Sequence, residues 1–312
     1  MIVTARRASA ILHNILHSRP DRRPFLLPAN ICPVVPLTFF KAGIPFAFAD
    51  LDPASLNLDL ACTEALLQTG QFGGVLYAHT YGDESTPVDF FVEMKRRDEN
   101  LLIIDDRCLC MPEMEPDLNN PADLLLFSTG YAKMVDLGYG GYAFLRLGVD
   151  YRPQALSFRQ ADLEAVEQAY KASIAGRQPF HYQDSDWLQA EPVPAWDEYR
   201  CQIGEAVPGS RVHRLGLNAV YTSRLPTEIC LPERFQLWRF NIRVADQPAV
   251  LKAIFAAGLF ASSHYASLAG IFAPGSCPQA EALAAGVINL FNDHHYTVAM
   301  AEQTCDIIRK NL

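Results

Sequence analysis

The chain has 312 residues, half of them hydrophobic and a fifth charged, and carries a formal charge of −9. That content supports a large buried core with room for a second, smaller unit, and it argues against disordered and fibrous classes. The acidic balance and the shortness of the basic clusters (Arg6-Arg7, Arg22-Arg23, Lys95-Arg96-Arg97) leave no surface for a phosphate backbone, so no nucleic-acid partner is expected.

In chain order, "VTARRASAILHNIL" reads as the opening of a helix with Thr4 as N-cap, the alternative being an ordinary capped helix with no ligand. His13 and Asn14 break its apolar run, so it is no secretory segment. Later apolar stretches are cut by Pro33, Pro36, Lys41 and Pro45, short of a membrane span; a soluble, cytoplasmic protein without a membrane partner is expected. Up to about residue 147, β-like runs ("FLLPA", "PFAFADLD", "GGVLYAHT", "NLLIIDD", "DLLLFST", "GYAFLRL") alternate with helical patterns ("VVPLTFFKAG", "LDLACTEALLQTG", "VDFFVEMKRRDEN"). Continuously apolar strands are those of a sheet covered on both faces. The fold class is therefore α/β, a mostly parallel sheet with helices on both faces, its sites beyond the strand C-terminal ends, plus a smaller C-terminal α+β unit.

A charged helix is predicted over about 158–176, followed by a polar, aromatic, proline-bearing connector. The last block offers a strand ("FQLWRFNIRV"), a helix ("QPAVLKAIFAAG"), a strand ("GVINLFN") and a closing helix ("TVAMAEQTCDIIRKNL"). The expected organisation is a large domain over 1–176, a connector over 177–229 and a small domain over 230–312. The eight cysteines are irregularly spaced, and Cys108-x-Cys110 is not a metal-finger spacing; reduced, mostly buried thiols and no metal site are expected.

The chemistry concentrates in two stretches. In "NLLIIDDRCLC", Asp105 and Asp106 end a strand too apolar to lie on the surface, so one of them faces whatever occupies the sheet edge, unless both serve as a cap or a salt bridge. One strand later, "DLLLFSTGYAKMVDLGYGGYAF" places Ser128, then Lys133, then a glycine-rich return to another strand. A lone loop lysine is normally solvent-exposed. Aspartate, then Ser-x4-Lys, ending successive strands is nevertheless the set that pyridoxal phosphate requires on such a sheet: lysine to bind the aldehyde, aspartate to keep the ring nitrogen protonated, serine to reach the phosphate. A helix N-terminus would complete the phosphate site.

The order of these segments resembles the DegT/DnrJ/EryC1/StrS aminotransferases, fold-type I pyridoxal-phosphate enzymes. The carrying stretches are "TARRASAIL", "FLLPANICPVVPLTFFKAGIPFAFADLDPASLNLD", "AHTYG", "LLIIDDRC" and "LLLFSTGYAKMVDLGYGGYAF", with "RFNIRV", "AIFAAGLFASSHYASL" and "VINLFNDHHYT" matching the family's small domain. The resemblance implies Lys133 as the Schiff-base lysine, Asp106 as the ring-nitrogen partner and Ser128 as a phosphate ligand. It implies Thr4, Ala5 and Arg6 as the phosphate loop, Cys108 as the small residue against the ring and His79 as part of the site wall. It further implies amination of a nucleotide-linked keto-sugar or a related keto or aldehyde acceptor, an amino-acid donor, and a homodimer with a shared active site.

The chain departs from the family pattern in three places. Asn30 and Cys32 stand where an aromatic ring commonly stacks on the cofactor, and Leu109 stands where glutamine or histidine approaches the phenolic oxygen. The family's segment ahead of the phosphate loop has no counterpart here, so the substrate side of the site is expected to differ. Two competing readings are a degenerate member with a structural or regulatory role and a lyase or racemase using the same cofactor.

Overall fold

Alternate residues of each central strand feed two different cores, and that alternation sets the architecture of the structure, a computed structural model that describes residues 1–312. The main sheet contains β1 (Ile2–Ala5), β2 (Phe25–Pro28), β3 (Phe46–Ala49), β4 (Gly74–Ala78), β5 (Leu102–Asp106), β6 (Leu124–Ser128) and β7 (Gly141–Leu145). Leu27, Leu76, Ile104 and Leu126 face helices α1 (Ala8–Ser18) and α2 (Val34–Ala42), whereas Leu26, Val75, Ile103 and Leu125 face the side of α4 (Val88–Arg97). A further helix, α3 (Leu60–Leu67), lies between β3 and β4 in sequence and is capped by the Asp59 carboxylate, which accepts from the Cys62 N–H.

The sheet order is β1-β7-β6-β5-β4-β2-β3. From β3 to β6 neighbours pair in parallel, and β7 runs antiparallel to both β6 and β1. The expected mostly parallel sheet with helices on both faces is what the chain forms.

The first residues differ from expectation. Ile2–Ala5 pair with β7, Thr4 opposite Tyr142 and Ala5 opposite Gly141, so Thr4 is a strand residue and not an N-cap. Helix α1 begins at Ala8, with extended Arg7 as its N-cap residue and no side chain capping it. The pairing wins because Val3 and Ala5 bury against the sheet and satisfy their backbone there, which postpones the helix by three residues.

Helix α5 (Gln160–Gly176) is followed by an irregular stretch and then by α6 (Trp196–Arg224), 29 residues long, inside the segment expected to be a connector. Tyr199 and Ile203 of α6 pack in the core of the main sheet, while Leu217 and Tyr221 pack with the C-terminal block. That block adds β8 (Phe240–Arg243), α7 (Gln247–Ala256), β9 (Ala261–Ser262), α8 (Pro278–Gly286), β10 (Val287–Leu290) and α9 (Val298–Lys310), its small antiparallel sheet ordered β8-β10-β9. Residues after β9 cross back to the main sheet, where the Leu268 N–H donates to the Ala29 carbonyl. No helix is long and apolar enough to cross a membrane. All eight cysteines are free; Cys110, Cys277 and Cys305 are buried and Cys62 and Cys201 exposed, so burial is less general than expected.

Candidate active site

Four parallel strands, β2, β4, β5 and β6, end at one edge, and the chain leaves each of them with a polar residue: Asn30, His79, Asp106 and Ser128. Adjacent strand positions point oppositely, so Asp105 and Asp106 have separate tasks. Asp105 is fully buried and holds His79 Nε2 at 2.6 Å and Asn120 Nδ2 at 2.7 Å. Asp106 lines a cavity on the other face, its Oδ1 accepting the Cys108 N–H at 3.0 Å, which fixes the direction of the carboxylate.

His79 engages both ring nitrogens inside the protein, the second with the Asp83 carbonyl. Burial opposes its protonation, but the neighbouring Cys110 and Asp105 outweigh burial and hold the imidazole pKa above its ordinary value. His79 therefore props the Asp105 end of β5 and the turn after β4, and it offers a bound group no free nitrogen. Its ring still forms part of the wall.

Lys133 is half-buried in a turn held from three directions. Ala132, just before it, has φ of 60°, a left-handed conformation costly for a residue with a Cβ. Asp136 Oδ2 accepts the Ala132 N–H at 2.8 Å, and Trp238 Nε1 donates to the Ala132 carbonyl at 2.8 Å. Arg214 of α6, 2 % exposed, donates Nη2 to the Lys133 carbonyl at 2.9 Å and Nη1 to the Trp238 carbonyl at 2.6 Å and Asn292 Oδ1 at 2.7 Å. A lysine on so constrained a turn is positioned, not merely displayed.

Lys133, Asp106, Cys108 and Ser128 line one cavity of about 440 Å³, together with Arg7 and Ser9 of the α1 start. A smaller adjoining space is walled by Asn30, Cys32, His79, Asp106, Lys133 and Tyr265. Burial, reinforced by Asp106, pushes the Cys108 thiol up, and burial also raises Cys32 against the pull of Lys133, so both present neutral, compact walls. Ser128 Oγ sits 3.3 Å from the Gly130 N, beside the uncapped end of α1.

The structure thus brings together Lys133, Asp106, Cys108, Ser128 and His79. It does not bring Thr4, Ala5 and Arg6 to the cavity: the first two are strand-paired, and Arg6 is exposed, its N–H donating to the Glu191 carbonyl and its guanidinium lying over Tyr139. The residues at the helix start are Arg7, Ala8 and Ser9. Gly141 permits their closeness to β7, because a Cβ there would fall 2.3 Å from the Ala8 nitrogen.

No family model and no curated protein matches the chain. Solved structures do. The sugar aminotransferase CalS13 from Micromonospora echinospora superposes with a TM-score of 0.72 at 17% identity, covering 100% of this chain and 87% of its own. The aminotransferase TlmJ from Streptoalloteichus hindustanus gives 0.72 at 17% identity, covering 99% and 85%. A DegT DnrJ EryC1 StrS aminotransferase from Brucella abortus gives 0.69 at 15% identity, again covering 99% and 85%. The chain has their fold.

Several residues of the site were not singled out from the sequence. Arg7 had a signal, being the basic residue just ahead of an apolar helical run. Tyr265 lies in "SSHYASL" and reaches the cavity only because the chain returns from β9 to the main sheet. It stacks on Trp238 at 11°, with ring centroids 6.3 Å apart, and so supplies an aromatic wall that Asn30 and Cys32 do not. His264 beside it has its pKa pushed down by burial and by the positive charges of Arg239 and Lys133. Nothing local marks Arg214, whose partners lie far from it in sequence.

Proposed function

We propose that the protein is a pyridoxal-phosphate-dependent aminotransferase of the DegT/DnrJ/EryC1/StrS type. The observation that carries the reading is the convergence of Lys133, Asp106, Ser128 and the uncapped start of α1 on one cavity. Each feature meets one need of that cofactor. An uncapped helix N-terminus flanked by Arg7 and a serine hydroxyl suits a phosphate dianion. A carboxylate of fixed orientation suits a ring nitrogen that must stay protonated, and Cys108 leaves a flat wall behind the ring. The residues present fit the group.

In this reading Arg7, the first-turn N–H groups of α1 and Ser128 Oγ would hold the phosphate. Asp106 accepts a hydrogen bond from the ring nitrogen and stabilises its positive charge. When bound, pyridoxal phosphate supplies an aldehyde that condenses with amines and a ring that withdraws electrons from the adjacent carbon. Lys133 would be the tether, and its amine, when free, would be the base that takes the proton from the donor α-carbon. The held turn would fix where that amine stands. Tyr265 and Trp238 shield that proton from water.

The acceptor is a keto or aldehyde compound, and nucleotide-linked keto-sugars are the first class to assay, because CalS13 is a sugar aminotransferase. The expected homodimer with a shared site and the cytoplasmic location belong to the same proposal; light scattering of the purified protein tests the first and cell fractionation the second. The direct functional test is glutamate-driven conversion of bound cofactor to its amino form, read as loss of visible absorbance. Stable absorbance with every amino donor would reject transamination.

A further inference from the structure

Asn30, two residues past the end of β2, is 6 % exposed, yet its side-chain amide makes no hydrogen bond within the protein while it walls the small space beside Asp106 and Lys133. The amide opens onto that space, so its two donors and one acceptor are available to a bound ligand. Three other polar groups of that wall are committed: His79 uses both nitrogens, the Tyr81 hydroxyl donates to the His264 carbonyl at 2.9 Å, and the Cys108 thiol lies 3.8 Å from the Leu126 carbonyl. Leu109, also in the wall, offers no hydrogen bond at all. Besides Lys133 Nζ and Asp106 Oδ2, the Thr80 and Tyr265 hydroxyls and the Cys32 thiol also have no partner within the protein.

We propose that Asn30 Nδ2 donates to the phenolic oxygen of the bound cofactor, taking over from the end of β2, two strands along the sheet from β5, the polar contact that Leu109 cannot make. The proposal rests on the pyridoxal-phosphate reading above. Its physical consequence is definite: a donor to that oxygen stabilises its anionic form and lowers the pH at which the lysine-attached cofactor gives up its proton. Asn30 is then a cofactor-tuning residue, with the small wall residues leaving room for the amide where an aromatic ring would exclude it.

The test is a pH titration of visible absorbance on full-length wild type, Asn30→Leu, Thr80→Val and Tyr265→Phe, each loaded with pyridoxal phosphate. Asn30→Leu should retain the cofactor on Lys133 while its titration midpoint rises by about one unit, a roughly tenfold gain in proton affinity, and Thr80→Val and Tyr265→Phe should titrate like wild type. If Asn30→Leu does not fold, Asn30→Asp keeps the size, and its carboxylate, which cannot donate, should raise the midpoint at least as far. An unchanged midpoint in the Asn30 variants, or an equal shift in Thr80→Val or Tyr265→Phe, overturns the assignment. A wild type that never binds the cofactor overturns it through the underlying reading instead, and absorbance before titration tells the two failures apart.

Discussion

Replacing Arg214 with methionine removes the one side chain that ties the Lys133 turn, β8 and the Asn292 region together. Three short bonds are lost, to the Trp238 carbonyl at 2.6 Å, Asn292 Oδ1 at 2.7 Å and the Lys133 carbonyl at 2.9 Å. A hydrogen bond from a charged donor is worth about 1.5–3 kcal/mol, and the buried acceptors gain no substitute partner. Against this stands the expense of burying the guanidinium, visible in a pKa pushed down to about 10 by burial and by Arg239, which the variant recovers at about 3 kcal/mol. The net loss is about 1.5–6 kcal/mol. Urea unfolding followed by tryptophan fluorescence measures it, and pyridoxal-phosphate affinity should fall in parallel because the turn carrying Lys133 loosens. A variant within about 0.5 kcal/mol of wild type, with unchanged affinity, would refute the clamp.

Three further outcomes follow from the same geometry. His79→Gln should destabilise by about 1–3 kcal/mol near pH 6, because Asp105 loses one charged partner while keeping Asn120 and Arg107. The folded-state pKa of His79 is raised, so this contribution is complete below the ordinary imidazole value and fades as pH rises through the raised one. The stability gap between wild type and variant should therefore shrink in alkaline melts. Gly141→Ala should push the start of α1 away from β7, weakening inorganic phosphate protection against heat and costing about 1–3 kcal/mol, since its Cβ would sit 2.3 Å from the Ala8 nitrogen. Ala132→Gly should leave stability unchanged or improve it by up to about 1 kcal/mol in thermal melts, because glycine tolerates the left-handed backbone there.

Much of the sheet was legible because β2 and β4 to β6 are apolar on both faces, a pattern only a covered parallel sheet produces. Asp106, Ser128 and Lys133 were legible because a strand-by-strand fold turns the order of strand ends into proximity at one edge. β1 was hidden because four residues followed by Arg6-Arg7 carry too little pattern to compete with the helix behind them. Helix α6 was hidden by Pro208 and by Gly204, Gly209 and Gly216, which read as breaks, and by burial that passes from one core to another along its length. Arg214, Trp238 and Tyr265 acquire their roles only through contacts distant in sequence, so no local spacing announces them.

The central claim is that Lys133 forms the covalent link to pyridoxal phosphate. Incubating the protein with the cofactor, reducing with borohydride and mapping the modified peptide by mass spectrometry tests it most directly. A visible absorbance band and a single pyridoxyl adduct on Lys133 are expected, both absent from a folded Lys133→Ala variant. A wild type that stays colourless, or an adduct spread over other lysines with Lys133 unmodified, would contradict it.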